Sequence, residues 1–499
     1  MTKRIVVVGG DAAGMSAATT ALRHSSSGAL EVVVLERGHY TSYSACGIPY
    51  WISGAVSDGD QLIARSPQEH RDAGIDVRMR TEATAIDLDK RSVSVRGADG
   101  AGDDTLGFDE LVIATGARPI RPPLDGIDAD GIFGVQSLED GEAIIKDLAN
   151  SHHRQAVVVG AGYIGVELAE AMVVRGLETT ILDQAPQPFT QLDPDMGALV
   201  RTAMEGLGIT VVTDTPVEGF DAGDDGRVRV VRTPDGAFPA DIVVLGLGVT
   251  PNAALAEEAG LRIGESGGIV TDVRMRAGDG VWSGGDCVQV PHRISGKGVN
   301  VALGTHANKH GRIIGVNLAG GYGAFPGVIG TAISKVCDLE IGRTGLGEAE
   351  AAAAGFGYVT ATVESTTTAG YFPGAREMTV KVLAEQRTGR LLGAQIVGRE
   401  GSAKRIDVFA TAVWNHMTVE EMTFMDLSYA PPFSPVWDAV LIAAARRPRR
   451  CRPTSRPHPC ESPPARQPTC TAGRRAGSGS ASRSTSRVTG ATSPTPKSM

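Results

Sequence analysis

One pattern occurs twice, 151 residues apart, and it limits the possible folds more than any other feature of the chain. The first copy is an apolar run at residues 5–8 followed by Gly9-Gly10-Asp11-Ala12-Ala13-Gly14 and an alanine-rich stretch. The second is residues 156–159 followed by Gly160-Ala161-Gly162-Tyr163-Ile164-Gly165. Each reads as strand, glycine turn, helix. Gly9 and Gly160 permit a sharp turn, and Gly14 and Gly165 let the helix lie close on the strand. The helix N-terminus then faces an anion such as a pyrophosphate. Asp11 replaces the middle glycine of the first copy, so that fingerprint is imperfect.

A second β-branched run follows each copy and ends in an acid, Glu36 (before Arg37) or Asp183. An acid at that place takes a ribose diol. Two fingerprints imply two dinucleotides, most economically FAD and a nicotinamide dinucleotide. Asp183 is followed by Gln-Ala-Pro-Gln-Pro, with no Arg or Lys for a 2′-phosphate. That favours NADH, with NADPH as the alternative. Residues 111–117 end in Thr115-Gly116, and residues 280–287 form a strand running into Gly285-Asp286, where an acid can accept hydrogen bonds from a ribityl chain. The expected FAD set is Gly9, Asp11, Ala12, Ala13, Gly14, Glu36, Arg37, Thr115, Gly116 and Asp286. The expected NADH set is Gly160, Gly162, Tyr163, Ile164, Gly165 and Asp183.

Charge and cysteine usage exclude several classes. Residues 446–499 hold 12 Lys+Arg and one acid, leaving −20 on the rest of a chain whose total is −9. An acidic body argues against nucleic-acid binding. The Arg/Pro/Ser-rich tail cannot form a core and is expected to be disordered. There is no signal peptide and no run long enough to span a membrane, so the expected compartment is the cytoplasm. Cys46, Cys287 and Cys337 lie in the body, the other three cysteines in the tail, and none has metal-site spacing. Cys287 and Cys337 read as structural, Cys337 within an apolar strand. From about residue 323 short strands, turns and helices alternate, as in a separate α+β domain.

Cys46 is different. It lies in Tyr43-Ser44-Ala45-Cys46-Gly47-Ile48-Pro49-Tyr50, just past the first fingerprint. A cysteine there reads as a redox nucleophile, and a helix starting near Gly47 would lower its thiol pKa.

Together these motifs resemble the FAD-dependent pyridine nucleotide–disulfide oxidoreductases over about residues 3–445. The resemblance implies an α/β fold with two Rossmann-like dinucleotide-binding domains, the NAD domain inserted in the FAD domain, and a C-terminal α+β dimerisation domain. The expected boundaries are 1–118 and 250–322 for FAD, 119–249 for NAD(P)H, 323–445 for dimerisation and 446–499 for the tail. Thr41 stands five before Cys46, so the paired-cysteine branch does not fit. Ala12 stands where peroxidase relatives carry histidine. Ser42 to Tyr50 is similar to the coenzyme A-disulfide reductase motif, although Ala45 and Phe372 depart from it. The resemblance implies a homodimer in which Tyr371 and Tyr429 act at the partner's cysteine, with Arg23 and Ser42 toward the substrate. The implied reaction reduces coenzyme A disulfide or a related disulfide or persulfide. NADH oxidase activity through a Cys46 sulfenic acid, or reduction of a protein electron carrier, are the alternatives. No metal is expected.

Overall fold

The computed structural model describes residues 2–97, 104–150 and 152–446. The expected disordered tail, apart from Arg446, lies outside the described residues.

Both glycine patterns form strand–turn–helix units. β1 (Lys3–Val8) turns into α1 (Ala12–His24), and β2 (Leu30–Leu35) returns parallel to β1. The chain then passes through the short helix α2 (Ile48–Ser53) and reaches β3 (Glu110–Ile113) on the other side of β1. The second unit is β4 (Gln155–Val159), α3 (Tyr163–Val174) and β5 (Glu178–Leu182), with β6 (Ile242–Leu245) on the far side of β4. β7 (Val281–Ser283) rejoins the first sheet beside β3, and α4 (Gly304–Leu318) follows.

The first sheet has six strands, ordered Arg276–Gly278, β7, β3, β1, β2, Asp76–Arg78. The second has five, all parallel, with β4 central. Residues 5–8 of β1 and 156–159 of β4 are apolar and buried because both faces are covered, as parallel sheets require. On one face of the first sheet α1 lies against α4 at small residues. A Cβ added at Gly311 would stand 2.2 Å from the Ala13 carbonyl oxygen. The segment carrying the second sheet leaves after β3 and returns before β7. Exit and return pair as an antiparallel ribbon, Ala117–Pro119 with Val249–Pro251. The second unit is therefore an insertion in the first.

A five-stranded antiparallel sheet (Ala332–Val336, Leu339–Gly345, Leu391–Gly398, Glu377–Glu385, Tyr358–Thr366) forms the C-terminal domain. Helices Ile406–Trp414 and Ala439–Ala445 bury their apolar residues with it. This domain is docked on the inserted unit by an ionic cluster centred on buried Lys381 and Asp193. Lys381 Nζ lies 3.1 Å from Asp193, 2.7 Å from Asp195 and 2.5 Å from Glu348. These three carboxylates gather within 4.8 Å of one another, and the ammonium is their common partner.

One cysteine is placed differently from the sequence expectation. Cys337 sits in the tight turn between Ala332–Val336 and Leu339–Gly345, at φ 52°, and not within a strand. Apolar flanks continue the strand pattern on either side of a two-residue turn, which hides the turn from periodicity.

Candidate functional site

The two glycine turns are built alike. Gly9 has φ 105° and Gly160 φ 100°, left-handed values that favour glycine. A Cβ at Gly9 would lie 2.1 Å from the Ala114 oxygen, and one at Gly160 2.5 Å from the Gly246 oxygen. At Gly14 and Gly165 it would lie 1.9 Å from the carbonyl oxygen of Gly9 or Gly160. The middle position differs. Asp11 and Gly162 are both extended, at φ −111° and −80°, and nothing lies within 4 Å of a Cβ added at Gly162. Asp11 therefore departs from the fingerprint without backbone strain.

The two acids hold their own turns. Glu36 Oε2 accepts from the Gly10 N–H at 2.8 Å, and Asp183 Oδ2 from the Ala161 N–H at 2.6 Å. Each carboxylate keeps acceptor capacity for a ribose hydroxyl. Arg37 is exposed just past β2. Ala12 and Ala13 open α1, and Ile164 lies in the first turn of α3. Thr115 Oγ1 donates to the Asn252 oxygen at 2.6 Å, which pins the connecting ribbon beside Gly116. Burial pushes the Asp286 carboxyl up to about 6. Asp11 is also pushed up to about 6, by burial first and then by the charges of Glu36 and Asp286, against the N–H groups of Tyr43 and Ala12. Tyr163 packs edge-on against Phe189, with centroids 4.9 Å apart, and burial raises its phenol to about 12.

Both turns open into one cleft of about 2130 Å³, larger than the ~300–1,000 Å³ of a single small-ligand pocket. Asp11, Gly116 and Asp286 line it, and so do Gly160, Gly162, Tyr163, Ile164 and Asp183. Cys46, Ser42 and Arg23 line it as well. An extended glycine turn, a carboxylate at the next strand end and this volume fit a dinucleotide at each turn, the middle position being an open glycine in the second turn and Asp11 in the first.

Cys46 is exposed to the cleft, in a 3₁₀ turn (Ala45–Gly47) that leads into α2. The sequence expectation of a lowered thiol pKa does not hold in the chain. The cleft walls desolvate the sulfur and push it up, and Glu167 and then Asp286 add to the effect. Glu167 comes from α3, and Ser334 Oγ of the C-terminal domain donates to it at 2.8 Å.

Tyr371 and Tyr429 do not line this cleft. They hydrogen-bond to each other on the domain surface, 78% and 48% exposed. Sequence reading also missed three features around Cys46. The Thr41 hydroxyl is buried and donates to the Gly10 carbonyl. Ser42 sits at φ 53°, with Oγ 2.9 Å from His70 Nε2. The Glu167 charge acts on the cysteine, and its place one helical turn beyond Tyr163, at the start of α3, was the one available signal.

Known proteins share this architecture. Residues 3–311 match the model of the pyridine nucleotide-disulphide oxidoreductases, and residues 331–440 match that family's dimerisation domain. An NADH oxidase of Methanocaldococcus jannaschii is 36% identical over 444 residues, covering 88% of this chain and 98% of the relative. An NAD(P)H coenzyme A polysulfide/persulfide reductase of Pyrococcus horikoshii is 36% identical over 450 residues, covering 89% and 98%. The solved NAD-dependent persulfide reductase of A. fulgidus superposes with a TM-score of 0.85 at 39% identity, covering 88% of this chain and 82% of that one. The chain belongs to the pyridine nucleotide-disulphide oxidoreductase family. It is an FAD-dependent NAD(P)H:disulfide oxidoreductase with a homodimerisation domain. Among the described residues no helix is long and apolar enough to cross a membrane.

Proposed function

We propose that the chain reduces coenzyme A disulfide, or a related small-thiol disulfide or persulfide, with NADH as donor and Cys46 as the redox nucleophile. The observation that carries this reading is a single cysteine opening into a cleft shared by both dinucleotide turns, with Thr41 in place of a second cysteine. The name of the P. horikoshii relative fits the same substrate class.

FAD, held by the first turn, Glu36 and Asp286, supplies two-electron transfer between nicotinamide and disulfide when bound. The second turn and Asp183 hold NADH. The Cys46 thiolate attacks a disulfide RS–SR, forming Cys46–S–SR and releasing RS⁻. Two electrons from NADH then cleave that bond. The net change is NADH + H⁺ + RSSR to NAD⁺ + 2 RSH. Because the cleft raises the thiol, Cys46 must lose its proton against burial and the Glu167 charge. In the homodimer Tyr371 and Tyr429 serve the other subunit's cleft as donors to the departing thiolate, a role general acids fill at ~10²–10⁴ in rate. Ser42 and Arg23 contact the substrate. The domains divide at 118/119, 249/250 and 322/323, and the protein works in the cytoplasm.

Mass spectrometry of the resting enzyme tests the assignment. A disulfide-linked coenzyme A on Cys46, lost on reduction with NADH, is the expected result. A sulfenic acid on Cys46 with stoichiometric oxygen uptake would instead establish the oxidase reading, which the M. jannaschii relative's name favours.

A further inference from the structure

The loop that carries Cys46 has two anchorages. On its outer side Tyr43 bridges to Ile63, the Ser44 N–H donates to Leu62 at 2.8 Å and the Ala64 N–H to Ser42 at 2.7 Å. Ser42 Oγ meets His70 on the same side. Its inner side is tied to the first glycine turn by two side chains. Asp11 Oδ1 accepts from the Tyr43 N–H at 3.2 Å, and the Thr41 hydroxyl donates to the Gly10 carbonyl. Thr41 is 1% exposed.

These two residues are the ones that deviate from wider patterns. Asp11 occupies the open middle position of the fingerprint, and the second turn shows that glycine fits there equally well. Thr41 occupies the place five residues before the cysteine. The Asp11 side chain is therefore not required by the backbone. It reaches out of the nucleotide turn and holds the amide three residues before Cys46.

We propose that Asp11 and Thr41 are positioning residues that fasten the Cys46 loop to the glycine turn, so that the turn holding the dinucleotide also sets where the sulfur stands. The tie uses an acceptor oxygen at residue 11 and a hydroxyl donor at residue 41. Charge at residue 11 is not needed, because a neutral amide oxygen accepts from the Tyr43 N–H as well. Peptide N–H groups left buried without a partner are costly, so loss of the acceptor lets the loop move until Tyr43 finds water. The proposal rests on the reading of Cys46 as the redox nucleophile only for its catalytic consequence. The tie itself concerns where the sulfur is.

The test is the alkylation rate of Cys46 by iodoacetamide in full-length, FAD-loaded protein, read by peptide mass spectrometry. Partly exposed Cys337 is the internal standard, and rates are normalised to flavin content. Asp11→Gly is expected to raise the Cys46/Cys337 rate ratio at least threefold. Asp11→Asn is expected to stay within twofold of the parent. Thr41→Val should behave like Asp11→Gly, and Thr41→Ser like the parent, which keeps the test decisive if Asp11→Gly does not fold. A ratio unchanged in both Asp11→Gly and Thr41→Val overturns the proposal. So does an Asp11→Asn ratio as high as that of Asp11→Gly, which would make charge the agent. Alkylation reads loop position whether or not Cys46 turns over. Failure of the redox assignment appears separately, as undiminished disulfide reduction in Cys46→Ser.

Discussion

The two glycine turns have nearly the same backbone and different surroundings. Gly9 and Gly160 differ by 5° in φ, and Glu36 and Asp183 accept from equivalent amides. In the second turn the middle position is an open glycine, and no side chain from it reaches a neighbouring loop. In the first turn that position holds Asp11, bonded to the segment that delivers Cys46. On the proposed assignment the second turn is left clear for NADH, which enters and leaves each cycle, and the first is tied to the Cys46 loop, as suits a turn whose ligand stays. Helix α3 gives the second turn a different link to the cysteine, through the Glu167 charge and not through a bond to its loop.

The largest effects should come from filling the turns themselves. An alanine at either Gly9 or Gly160 meets a backbone oxygen at 2.1 or 2.5 Å in a left-handed conformation that itself costs about 1–3 kcal/mol. Gly9→Ala should purify without flavin. Gly160→Ala should keep its flavin, seen in the visible spectrum, but fail to bleach it with NADH. Flavin loss from both variants would break the assignment of one dinucleotide to each turn.

Removing the acids probes the same division more gently. Asp183→Ala leaves the Ala161 and Ala185 amides without their acceptor and removes a ribose ligand, at a cost of about 1–3 kcal/mol. The apparent KM for NADH should rise about tenfold or more while the flavin is retained. Glu36→Ala should show the reverse, with faster flavin loss on dilution and little change in KM.

How much of this was legible from sequence follows from the range of each interaction. The glycine turns and the terminal acids are local patterns, and the structure shows both; the insertion of one unit in the other was implied only by the family resemblance, and the strand order and the Ala117–Pro119/Val249–Pro251 ribbon bear it out. The sign of the Cys46 shift was not legible. A local reading sees a helix starting at Ile48, whereas the walls that desolvate the sulfur are assembled only by folding, and the Glu167 and Asp286 charges that add to the effect come from more than a hundred residues away in sequence. Ser334 and Lys381 are likewise ordinary strand residues until folding brings Glu167 and Asp193 to them. Thr41 was legible only as an absent cysteine, because a buried hydroxyl facing a carbonyl leaves no periodic trace.

That long-range charge gives a third prediction. Glu167→Gln removes the carboxylate whose charge acts most strongly on Cys46, so the alkylation pH profile of Cys46 should move to lower pH. Burial still acts, so part of the elevation should remain. A profile that does not move would detach α3, and with it the second turn, from the cysteine.

The smallest effect expected concerns Asp11. Its folded carboxyl stands at about 6 against an ordinary 3.8. Between those values the folded chain binds a proton that the unfolded chain releases, so this group lowers stability as pH rises from about 4 to 6, and the loss persists above 6. Asparagine keeps the acceptor for the Tyr43 N–H and carries no charge. Asp11→Asn should therefore be more stable than the parent by on the order of 2 kcal/mol at pH 8, with no gain at pH 4, as measured by urea unfolding at both values. Gly162→Asp is the complement. If the charge is tolerated at the first turn only because Tyr43 and the loop meet it, the same acid at the second turn finds no such donor, and it should instead raise the KM for NADH.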